Sequence, residues 1–355
     1  MKIGLIIPNN RWFCPYVDIY SRILDDLHEQ YDIISWCRDG NEEKGCVQYY
    51  GNNAYRNPLL KFIPYLRFAK FVKKTIKKGH YDKLIVFTPQ VGIFIAGFLK
   101  RYYKGNYIID YRDLSLEQKA IFKKPFNKVL SNSFANVISS PGFKKYLPSK
   151  FNYVLSHNFN IEAVRKSLSG DQSIGLKVPN VIDILTIGGI RDFESNVKVM
   201  HAIGNKEGFR LRFIGRGPSA DLIKKVSDEN NYKNVDFVGY YPKEDEPKYI
   251  ETATFLNIFY PRKASHDTAL SNRFYNSLIY RKPMIVTADT TQGDYAAKYG
   301  VGVSLENCDN LTTKLRNYLK SYEYQHFTEN ADRLLLSFIK DYEKFHTILI
   351  SFLKS

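Results

Sequence analysis

The sequence predicts an α/β protein built from two doubly wound domains that face a cleft. In both halves of its 355 residues, short apolar runs alternate with amphipathic segments of helical spacing, a pattern typical of parallel sheets covered by helices. A polar stretch rich in glycine and serine separates the halves, and residues 166–180 are the predicted linker. The length also allows two domains that each bury a core.

The first predicted domain, residues 1–165, opens on a buried strand that ends in a turn at Pro8. Strand-like runs recur along this half, and segments such as residues 17–29 carry apolar positions at helical spacing between them. The predicted strands are residues 3–7, 32–36, 83–87, 106–110 and 136–139.

The second predicted domain, residues 181–330, shows the same alternation with clearer boundaries. Helices are predicted to begin near Glu194 and after Pro218. Residues 331–355 form one long amphipathic pattern that predicts a helix, for which packing against the first domain is one option. The predicted strands are residues 182–187, 211–214, 235–238, 255–259, 284–287 and 301–305.

Cysteine usage and hydrophobicity exclude several classes of protein. The chain has no run of 18 apolar residues and no signal peptide at its start, so we expect a cytoplasmic protein that does not span a membrane. The cysteines lack C-x-x-C spacing and a nearby histidine cluster, which argues against a disulfide framework or a zinc site. They are Cys14, Cys37, Cys46 and Cys308.

Positive charge is concentrated in the first half. Residues 1–170 hold 27 Lys and Arg against 13 Asp and Glu, a net of +14, whereas the remainder holds 25 against 23, a net of +2. Residues 59–78 contain seven cations, no acid, and apolar or aromatic residues between them. We expect this segment to face an anionic membrane surface from the cytoplasmic side. The membrane-facing candidates are Lys61, Arg67, Lys70, Lys73, Lys74, Lys77 and Lys78.

Two other interpretations of the basic segment stay open. It could be a solvated helix face whose apolar side lies in the core. Basic charge with aromatics also suits single-stranded nucleic acid, but no helix-turn-helix, ribonucleoprotein or zinc-finger pattern is visible. We therefore expect no nucleic-acid partner.

Three loops of the second half carry the parts of a diphosphate site, because each follows a strand and ligands bind at the carboxyl ends of parallel strands. The first is Gly188-Gly189-Ile190-Arg191, where glycines admit a ligand, helix amides favour anions and Arg191 adds a charge. A tight turn with a surface arginine explains the first loop equally well. The second loop, Gly215-Arg216-Gly217-Pro218, is weaker, because Ala220 stands where a third glycine would complete a dinucleotide motif.

The third loop segment is residues 269–276. Ser271 or Asn272 can cap a helix that begins there and that Pro283 ends. Arg273 then lies in the first turn, where a cation opposes the helix dipole by roughly 0.3–1 kcal/mol. A bound phosphate would reverse that sign. Asn276 lies on the same face, one turn further on, and the alternative is an exposed arginine tolerated at small cost.

In order along the chain, four segments of the second half resemble the C-terminal domain of GT-B glycosyltransferases, especially the large retaining family that builds bacterial capsules and lipopolysaccharides. The segments are residues 186–191, 211–217, 235–240 and 271–283. In the first half, residues 108–114 and 156–158 resemble further segments of that family. The resemblance implies two Rossmann-like domains, a nucleotide-sugar donor, retention at the anomeric carbon, and neither a cofactor nor a required metal.

The resemblance also implies roles for individual residues. Arg191, Arg273 and Asp113 would be the catalytic set, with the two arginines at the diphosphate and Asp113 facing the transferred sugar. Asn9 and Asn10 would contact the acceptor. The remaining donor-binding candidates are Gly188, Gly189, Gly215, Arg216, Gly239, Tyr240, Ser271, Asn272 and Asn276.

Two departures from the family pattern affect donor recognition. The usual pair of glutamates is replaced by Thr268 and Asn276, and the usual Gly-Gly loop after the first strand is replaced by Pro8-Asn9-Asn10. We expect a glycosyltransferase that acts on a lipid-linked surface polysaccharide at the membrane. The alternatives are a nucleotide-sugar epimerase of the same fold and a non-catalytic module that binds anionic lipid or nucleic acid.

Overall fold

A computed structural model of the protein describes residues 1–51, 62–170 and 180–355. The chain forms two compact units, Met1–Asn158 with Lys340–Ser355, and Phe159–Ile339. The division thus lies before the linker predicted at residues 166–180. Of the predicted linker, residues 166–169 are the last residues of the helix Ile161–Ser169, and residues 171–179 lie outside the described residues.

The first unit holds a seven-stranded sheet in which every neighbouring pair is parallel. Its strand order is β3-β2-β1-β4-β5-β6-β7. The strands are β1 (Lys2–Ile6), β2 (Gln30–Cys37), β3 (Cys46–Tyr50), β4 (Lys83–Phe87), β5 (Tyr107–Tyr111), β6 (Ala135–Ile138) and β7 (Val154–Leu155), and the helices between them are α1 (Val17–Asp26), α2 (Ile63–Gly79), α3 (Pro89–Tyr102) and α4 (Ala120–Asn132).

The second unit holds a six-stranded parallel sheet of order β10-β9-β8-β11-β12-β13. Its strands are β8 (Ile182–Ile187), β9 (Phe209–Ile214), β10 (Val235–Val238), β11 (Phe255–Ile258), β12 (Met284–Thr287) and β13 (Gly302–Leu305). The helices are α5 (Ile161–Ser169), α6 (Phe193–Ile203), α7 (Ala220–Glu229), α8 (Glu246–Glu251), α9 (Ala264–Thr268), α10 (Asn272–Ile279), α11 (Thr291–Tyr299), α12 (Leu311–Lys320) and α13 (Tyr324–Lys354).

Burial explains which strands the sequence reveals. Central strands such as β4, β8 and β12 are buried along their whole length, so they show as mainly apolar runs. All eleven predicted strands are present, with ends that differ by up to two residues. The sequence prediction missed β3 and β7, because these edge strands are only half-buried and carry no continuous apolar run.

The C-terminal helix α13 begins at Tyr324, seven residues before the predicted start at residue 331. Its first half contributes Phe327, Leu334 and Phe338 to a core of the second unit. Its last turns contribute Phe345 and Phe352 to the core of the first unit, to which residues 340–355 belong. In the described part of the chain, no helix is both long enough and apolar enough to cross a membrane.

Candidate functional site

A pocket of about 600 Å³ lies at the carboxyl ends of the strands of the second unit. Chain order reverses between β8 and β11, the neighbouring strands at the middle of this sheet, and such a reversal opens a crevice in parallel sheets. The volume is in the range of small-molecule sites. We call it the strand-end pocket; it is lined by Ile187, Gly188, Gly189, Arg191, Asp192, Gly215, Arg216, Tyr240, Tyr241, Lys243, Glu246, Tyr260, His266, Ala269, Ser271, Asn272, Arg273, Asn276 and Gln292.

Gly188 and Gly215 lie where the loop after β8 packs against the loop after β9. Gly215 has a φ of +127°, and a Cβ atom there would lie 2.1 Å from the carbonyl oxygen of Gly188. Gly188 itself has a φ of +93°. Because neither backbone can give way, only glycine lets the two loops approach this closely. Gly215 therefore shapes the pocket through packing against Gly188, in addition to lining it.

The N-terminus of α10 is fixed by the predicted cap. Ser271 is the N-cap residue, and its Oγ accepts a hydrogen bond from the amide of Phe274 at 3.3 Å. The amide and the Oγ of Ser271 both donate to Oε1 of Gln292, at 3.0 and 2.7 Å. The cap is thus held from α11, so the first turn of α10 has a defined position at the pocket.

Arg273 lies in that first turn and is buried, with only 7% of its surface exposed. Its guanidinium donates to the carbonyl oxygens of Ile187, at 2.5 Å, and Gly189, at 3.0 Å. It also reaches the carbonyl of Asn257, at 3.3 Å, and the hydroxyl of Tyr260, at 3.4 Å. Most of its donors are therefore used to hold the ends of β8 and β11 together, so Arg273 positions the Gly188-Gly189 turn.

Arg191 differs from Arg273 in its exposure and in its hydrogen bonds. It is exposed and lines the pocket, and in the described ranges its guanidinium has no hydrogen-bonding or ion-pairing partner. Only its backbone is engaged, through a carbonyl that accepts a hydrogen bond from Ser219 Oγ. Its charge is therefore available to a ligand in the pocket, as the interpretation of this loop as an anion site requires.

The aromatic rim of the pocket comes from the segment after β10. Tyr240 is 68% exposed, and the guanidinium of Arg216 lies 5.4 Å from the centre of its ring. Both residues line the pocket, as does Asn272. Gly239, the remaining donor-binding candidate, is exposed and is not among the lining residues.

Glu246 is a charged lining residue that the sequence prediction missed. Its carboxylate accepts hydrogen bonds from Tyr241 Oη at 2.6 Å, Asn276 Nδ2 at 3.0 Å and Lys243 Nζ at 2.5 Å. Burial alone would raise its pKa, but these hydrogen bonds outweigh burial and bring the pKa below its ordinary value. The carboxylate is therefore ionised at neutral pH.

Thr268 and Asn276 occupy the positions of the usual glutamate pair, and of the two only Asn276 lines the pocket. Thr268 is buried, and its hydroxyl donates to the carbonyl of Ala264 at 2.7 Å. Its neighbour His266 lines the pocket instead, with Nδ1 3.2 Å from the carbonyl oxygen of Pro261. No group of three or more His, Cys, Asp or Glu side chains suited to hold a metal occurs among the described residues.

The candidates of the first unit lie at the carboxyl ends of its strands. Asp113 is exposed, and its Oδ1 accepts a hydrogen bond from the amide of Leu114 at 2.8 Å. Asn10 is fully buried, its Nδ2 donating to Asp39 and its Oδ1 accepting from the amide of Arg38. That side chain thus holds two loops together, and because it is fully buried it is not accessible to an acceptor.

The other acceptor candidate, Asn9, is half-buried. Its Oδ1 accepts from the amide of Asn10 at 3.0 Å. This contact is local, so it fixes the turn after β1.

A buried ion pair lies at the same edge of the first sheet. Arg112 Nη2 lies 2.5 Å from Asp110 Oδ2, and their side chains are 5% and 0% exposed. The hydroxyl of Tyr20 also donates to this carboxylate, at 2.6 Å, and Arg112 Nη1 donates to the carbonyl of Ser156 at 2.9 Å. The charges of Asp110 and Arg112 are thus largely neutralised within the protein.

The basic helix α2 presents its cations outward. Its apolar side, including Phe68, Val72 and Ile76, is buried. Both the membrane interpretation and the solvated-face interpretation require this burial, so it does not separate them. Lys61 lies outside the described residues; Arg67, Lys70, Lys74, Lys77 and Lys78 are exposed, and Lys73 is half-buried.

No protein-family model and no curated protein sequence matches the chain. The chain is similar in structure to sucrose-phosphate synthase from Thermosynechococcus elongatus, with 13% identity and a TM-score of 0.71 over 100% of this chain and 99% of that one. It is also similar to the lipopolysaccharide outer core galactosyltransferase WaaB in its apo form, with 14% identity and a TM-score of 0.65 over 99% of each chain.

A third similar structure is HepE of Anabaena in complex with UDP and glucose, with 12% identity and a TM-score of 0.66 over 99% of this chain and 100% of that one. The fold is the GT-B fold. The predicted pair of Rossmann-like, doubly wound domains is thereby confirmed. At identities this low the likeness concerns the fold, and the chemistry has to be argued from the site.

Proposed function

We propose that the chain is a glycosyltransferase that takes a sugar from a nucleoside-diphosphate sugar. The observation that carries the proposal is the strand-end pocket, where the exposed Arg191 and the turn at Gly188 and Gly189 converge. A nucleoside-diphosphate sugar is the donor that suits this pocket, and HepE, a structure of the same fold, was solved with UDP and glucose.

In glycosyl transfer, an acceptor hydroxyl oxygen bonds to the anomeric carbon while the bond from that carbon to the diphosphate breaks, and the hydroxyl proton passes to the departing diphosphate or to solvent. The diphosphate leaves with the electron pair, so negative charge grows on it. A fixed guanidinium beside it stabilises that charge in the transition state. Arg191 is the group for this role, and Arg273 acts through the turn that it holds. Retention and the contact of Asp113 with the sugar rest on the sequence resemblance.

A binding experiment separates the two arginines. Wild-type protein is first screened by thermal shift with UDP-, GDP-, dTDP- and CMP-sugars, and the affinity for the matching nucleotide is then measured by calorimetry. Arg191→Ala should weaken binding about tenfold or more, because it removes a charged hydrogen-bond donor, with an unchanged melting temperature. Arg273→Ala should weaken binding and also lower the melting temperature, since three carbonyl oxygens lose their donor.

The control is Arg333→Ala, which removes an exposed arginine of the same unit outside the pocket lining. It should leave both readouts unchanged. Undiminished binding by Arg191→Ala would remove Arg191 from the site. Conversion of the donor to an epimer without any acceptor would replace glycosyl transfer by epimerisation. Absence of any nucleotide binding, together with strong binding of lipid or oligonucleotide, would leave only a non-catalytic module.

We further propose that the acceptor is a lipid-linked saccharide and that the protein works at the cytoplasmic face of a membrane. The outward cations of α2 support this, since each well-placed lysine or arginine contributes about 1 kcal/mol at an anionic surface. Changing Lys70, Lys74, Lys77 and Lys78 to Gln should lower sedimentation with phosphatidylglycerol vesicles at low salt at least about tenfold.

The matched control changes four exposed lysines of the second unit to Gln: Lys206, Lys224, Lys233 and Lys320. It should bind vesicles as the wild type does. If both quadruple variants lost vesicle binding equally, the net charge of the protein and not the position of the lysines would determine binding. If the wild type did not sediment with vesicles, the membrane proposal would be wrong.

A further inference from the structure

One wall of the strand-end pocket consists of polar side chains from three different loops. Its Gln292 accepts hydrogen bonds from Ser271, the N-cap residue of α10. Beside it, Thr291 Oγ1 donates to the carbonyl of Asp267 at 3.0 Å, which joins the start of α11 to α9. We call this part of the lining the N-cap wall; it is formed by Asp192, His266 and Gln292.

Gln292 offers the pocket a hydrogen-bond donor. The residue is only 3% exposed, and its Oε1 accepts from both the amide and the Oγ of Ser271, which fixes the orientation of the side-chain amide. Within the described residues its Nε2 has no partner, and it is not one of the fully buried atoms that lack one. This Nε2 is therefore open to the pocket, where an acceptor on a ligand can use it.

His266 offers a second donor when its ring is protonated. Its Nδ1 lies 3.2 Å from the carbonyl oxygen of Pro261, so this nitrogen carries a proton. Its Nε2 lies 3.9 Å from Asp192 Oδ1, which is too far for a hydrogen bond. Because a negative charge attracts an N–H and repels a lone pair, an anion bound at this wall favours the imidazolium form.

The carboxylate that belongs to the wall is already engaged. Asp192 Oδ1 accepts a hydrogen bond from Lys263 Nζ at 3.2 Å, and this ion pair offsets its charge. The nearby Thr268 is buried, and its hydroxyl donates to the carbonyl of Ala264. The open groups of the wall are thus mainly donors. A ligand group that only accepts and carries a negative charge fits them better than a hydroxyl, which both donates and accepts.

The wall lies on the side of the pocket where we expect the transferred sugar. A nucleoside-diphosphate sugar has its nucleoside on one side of the diphosphate and its sugar on the other. Glu246 bonds to Asn276 and to Tyr241, next to the aromatic rim at Tyr240, which suits a base. Ser271, where the wall lies, precedes Asn276 by about 7.5 Å along α10. The sugar therefore extends towards the N-cap wall.

We propose that Gln292 and His266 bind a carboxylate on the transferred sugar, so that the donor is a nucleoside-diphosphate uronic acid. This inference rests on the proposed function and names the class of sugar for the same pocket. Charge-assisted hydrogen bonds to a carboxylate are stronger than bonds to a neutral hydroxyl. A hexose with a hydroxyl at C6 is therefore bound more weakly than the uronic acid with the same ring configuration.

The test compares each hexose with its own uronic acid, because the two differ only at C6. Calorimetry measures the affinities for UDP-glucose and UDP-glucuronate, UDP-galactose and UDP-galacturonate, and GDP-mannose and GDP-mannuronate, with UDP and GDP as references. In the preferred pair, wild type should bind the uronate about tenfold or more tighter than the hexose. This comparison does not depend on the folding of any variant.

Two variants assign the preference to the N-cap wall. Gln292→Glu keeps an oxygen for the bonds from Ser271 and replaces only the donor Nε2, so it leaves the cap of α10 intact. It should weaken binding of the uronate at least about tenfold more than binding of the hexose or of the free diphosphate. His266→Gln removes the cationic donor and should lower the same preference.

The matched controls make the same substitutions elsewhere in the second unit. Gln325→Glu and His201→Gln change exposed residues that do not line the pocket. Both control variants should keep the preference of the wild type for the uronate.

The remaining outcomes each contradict the inference. Equal or tighter binding of the hexose by wild type would overturn it. So would variants of Gln292 and His266 that weaken UDP or GDP as much as the uronate, because these side chains would then bind the diphosphate. In both cases nucleotide binding, and with it the proposed function, would stand. If wild type bound no uronate, this inference would fall, and the separate nucleotide screen would decide on the proposed function.

Discussion

The carboxyl edges of the two sheets have the same topology and opposite chemistry. Both sheets are parallel and reverse their chain order at one point, between β1 and β4 in the first and between β8 and β11 in the second. In the first sheet the buried ion pair of Asp110 and Arg112 lies at the strand ends. In the second sheet glycines and the unpaired Arg191 leave a pocket.

The difference shows that topology provides the crevice and side chains decide whether it can take an anion. Arg112 is neutralised by Asp110 next to it, so its charge is not available to a ligand. Arg191 has no such partner in the parts of the chain described above. An arginine at a strand end is therefore informative about a binding site only when its own hydrogen bonds are known.

Breaking the ion pair of the first sheet should have the largest effect. Arg112→Met leaves the carboxylate of Asp110 buried and unpaired, which we expect to lower the free energy of unfolding by about 3–5 kcal/mol. Urea unfolding followed by tryptophan fluorescence measures this unit selectively, because both tryptophans, Trp12 and Trp36, lie in it. The exposed Arg22 supplies the control, since Arg22→Met removes the same side chain from the same unit. A loss below about 1 kcal/mol would mean that the pair contributes as little as a surface pair does.

Filling the space between the loops of the second sheet should have the next largest effect. Gly215→Ala places a methyl group 2.1 Å from the carbonyl oxygen of Gly188 and demands a φ that alanine disfavours. We expect a cost of about 1–3 kcal/mol in stability, together with at least about tenfold weaker nucleotide binding as the pocket deforms. Thermal unfolding by calorimetry and nucleotide titration measure the two effects.

Gly239→Ala is the matched control for this change, because no atom lies within 4 Å of a Cβ at Gly239 and its backbone is not in the left-handed region. It should leave both stability and binding unchanged. If Gly215→Ala also bound nucleotide normally, the close approach of the two loops would not matter for the pocket.

Local features of the site could be predicted from the sequence. The strands β8, β9 and β11 are short and mainly apolar or alternate apolar with polar residues. The Ser271 cap follows from residue type, and the glycines after the strands mark places where the backbone can approach a ligand. Each of these depends on a few neighbours in the chain. These features were sufficient to predict the site, because every candidate residue of the second unit except Gly239 lines the strand-end pocket.

Contacts between distant residues could not be predicted in this way. Arg273 bonds to Ile187 and Gly189, more than 80 positions away in the chain, and no local pattern reveals that its donors are used. Glu246 ends a run of charged residues without any motif and is the first residue of α8. Asn276, which it contacts, is 30 positions further on. Asn10 has the residue type of a binding group, but its side chain is buried and forms its hydrogen bonds with Asp39 and Arg38 inside the protein.

A titratable group at the first edge gives the smallest predicted effect and sharpens the comparison. His157, two residues beyond β7, is buried with Nε2 3.2 Å from Asp341 Oδ2. Burial lowers its pKa, and the contact with Asp341 offsets this only in part. The unfolded chain, with a pKa near 6.5, then binds the proton more readily than the folded one. The stability that comes from neutral His157 is therefore complete above about pH 6.5 and declines as the pH falls below that value.

His157→Gln should reduce the loss of stability between pH 7.5 and pH 5.5, measured by urea unfolding with tryptophan fluorescence. His346→Gln changes a partly exposed histidine on α13, the helix that also carries Asp341, and should keep the wild-type pH dependence. An identical pH dependence in wild type and His157→Gln would mean that the carboxylates alone set it. The ion pair of Asp110 and Arg112 would then stabilise the first edge without a contribution from His157, whereas the second edge keeps an ionised carboxylate, Glu246, in the lining of its pocket.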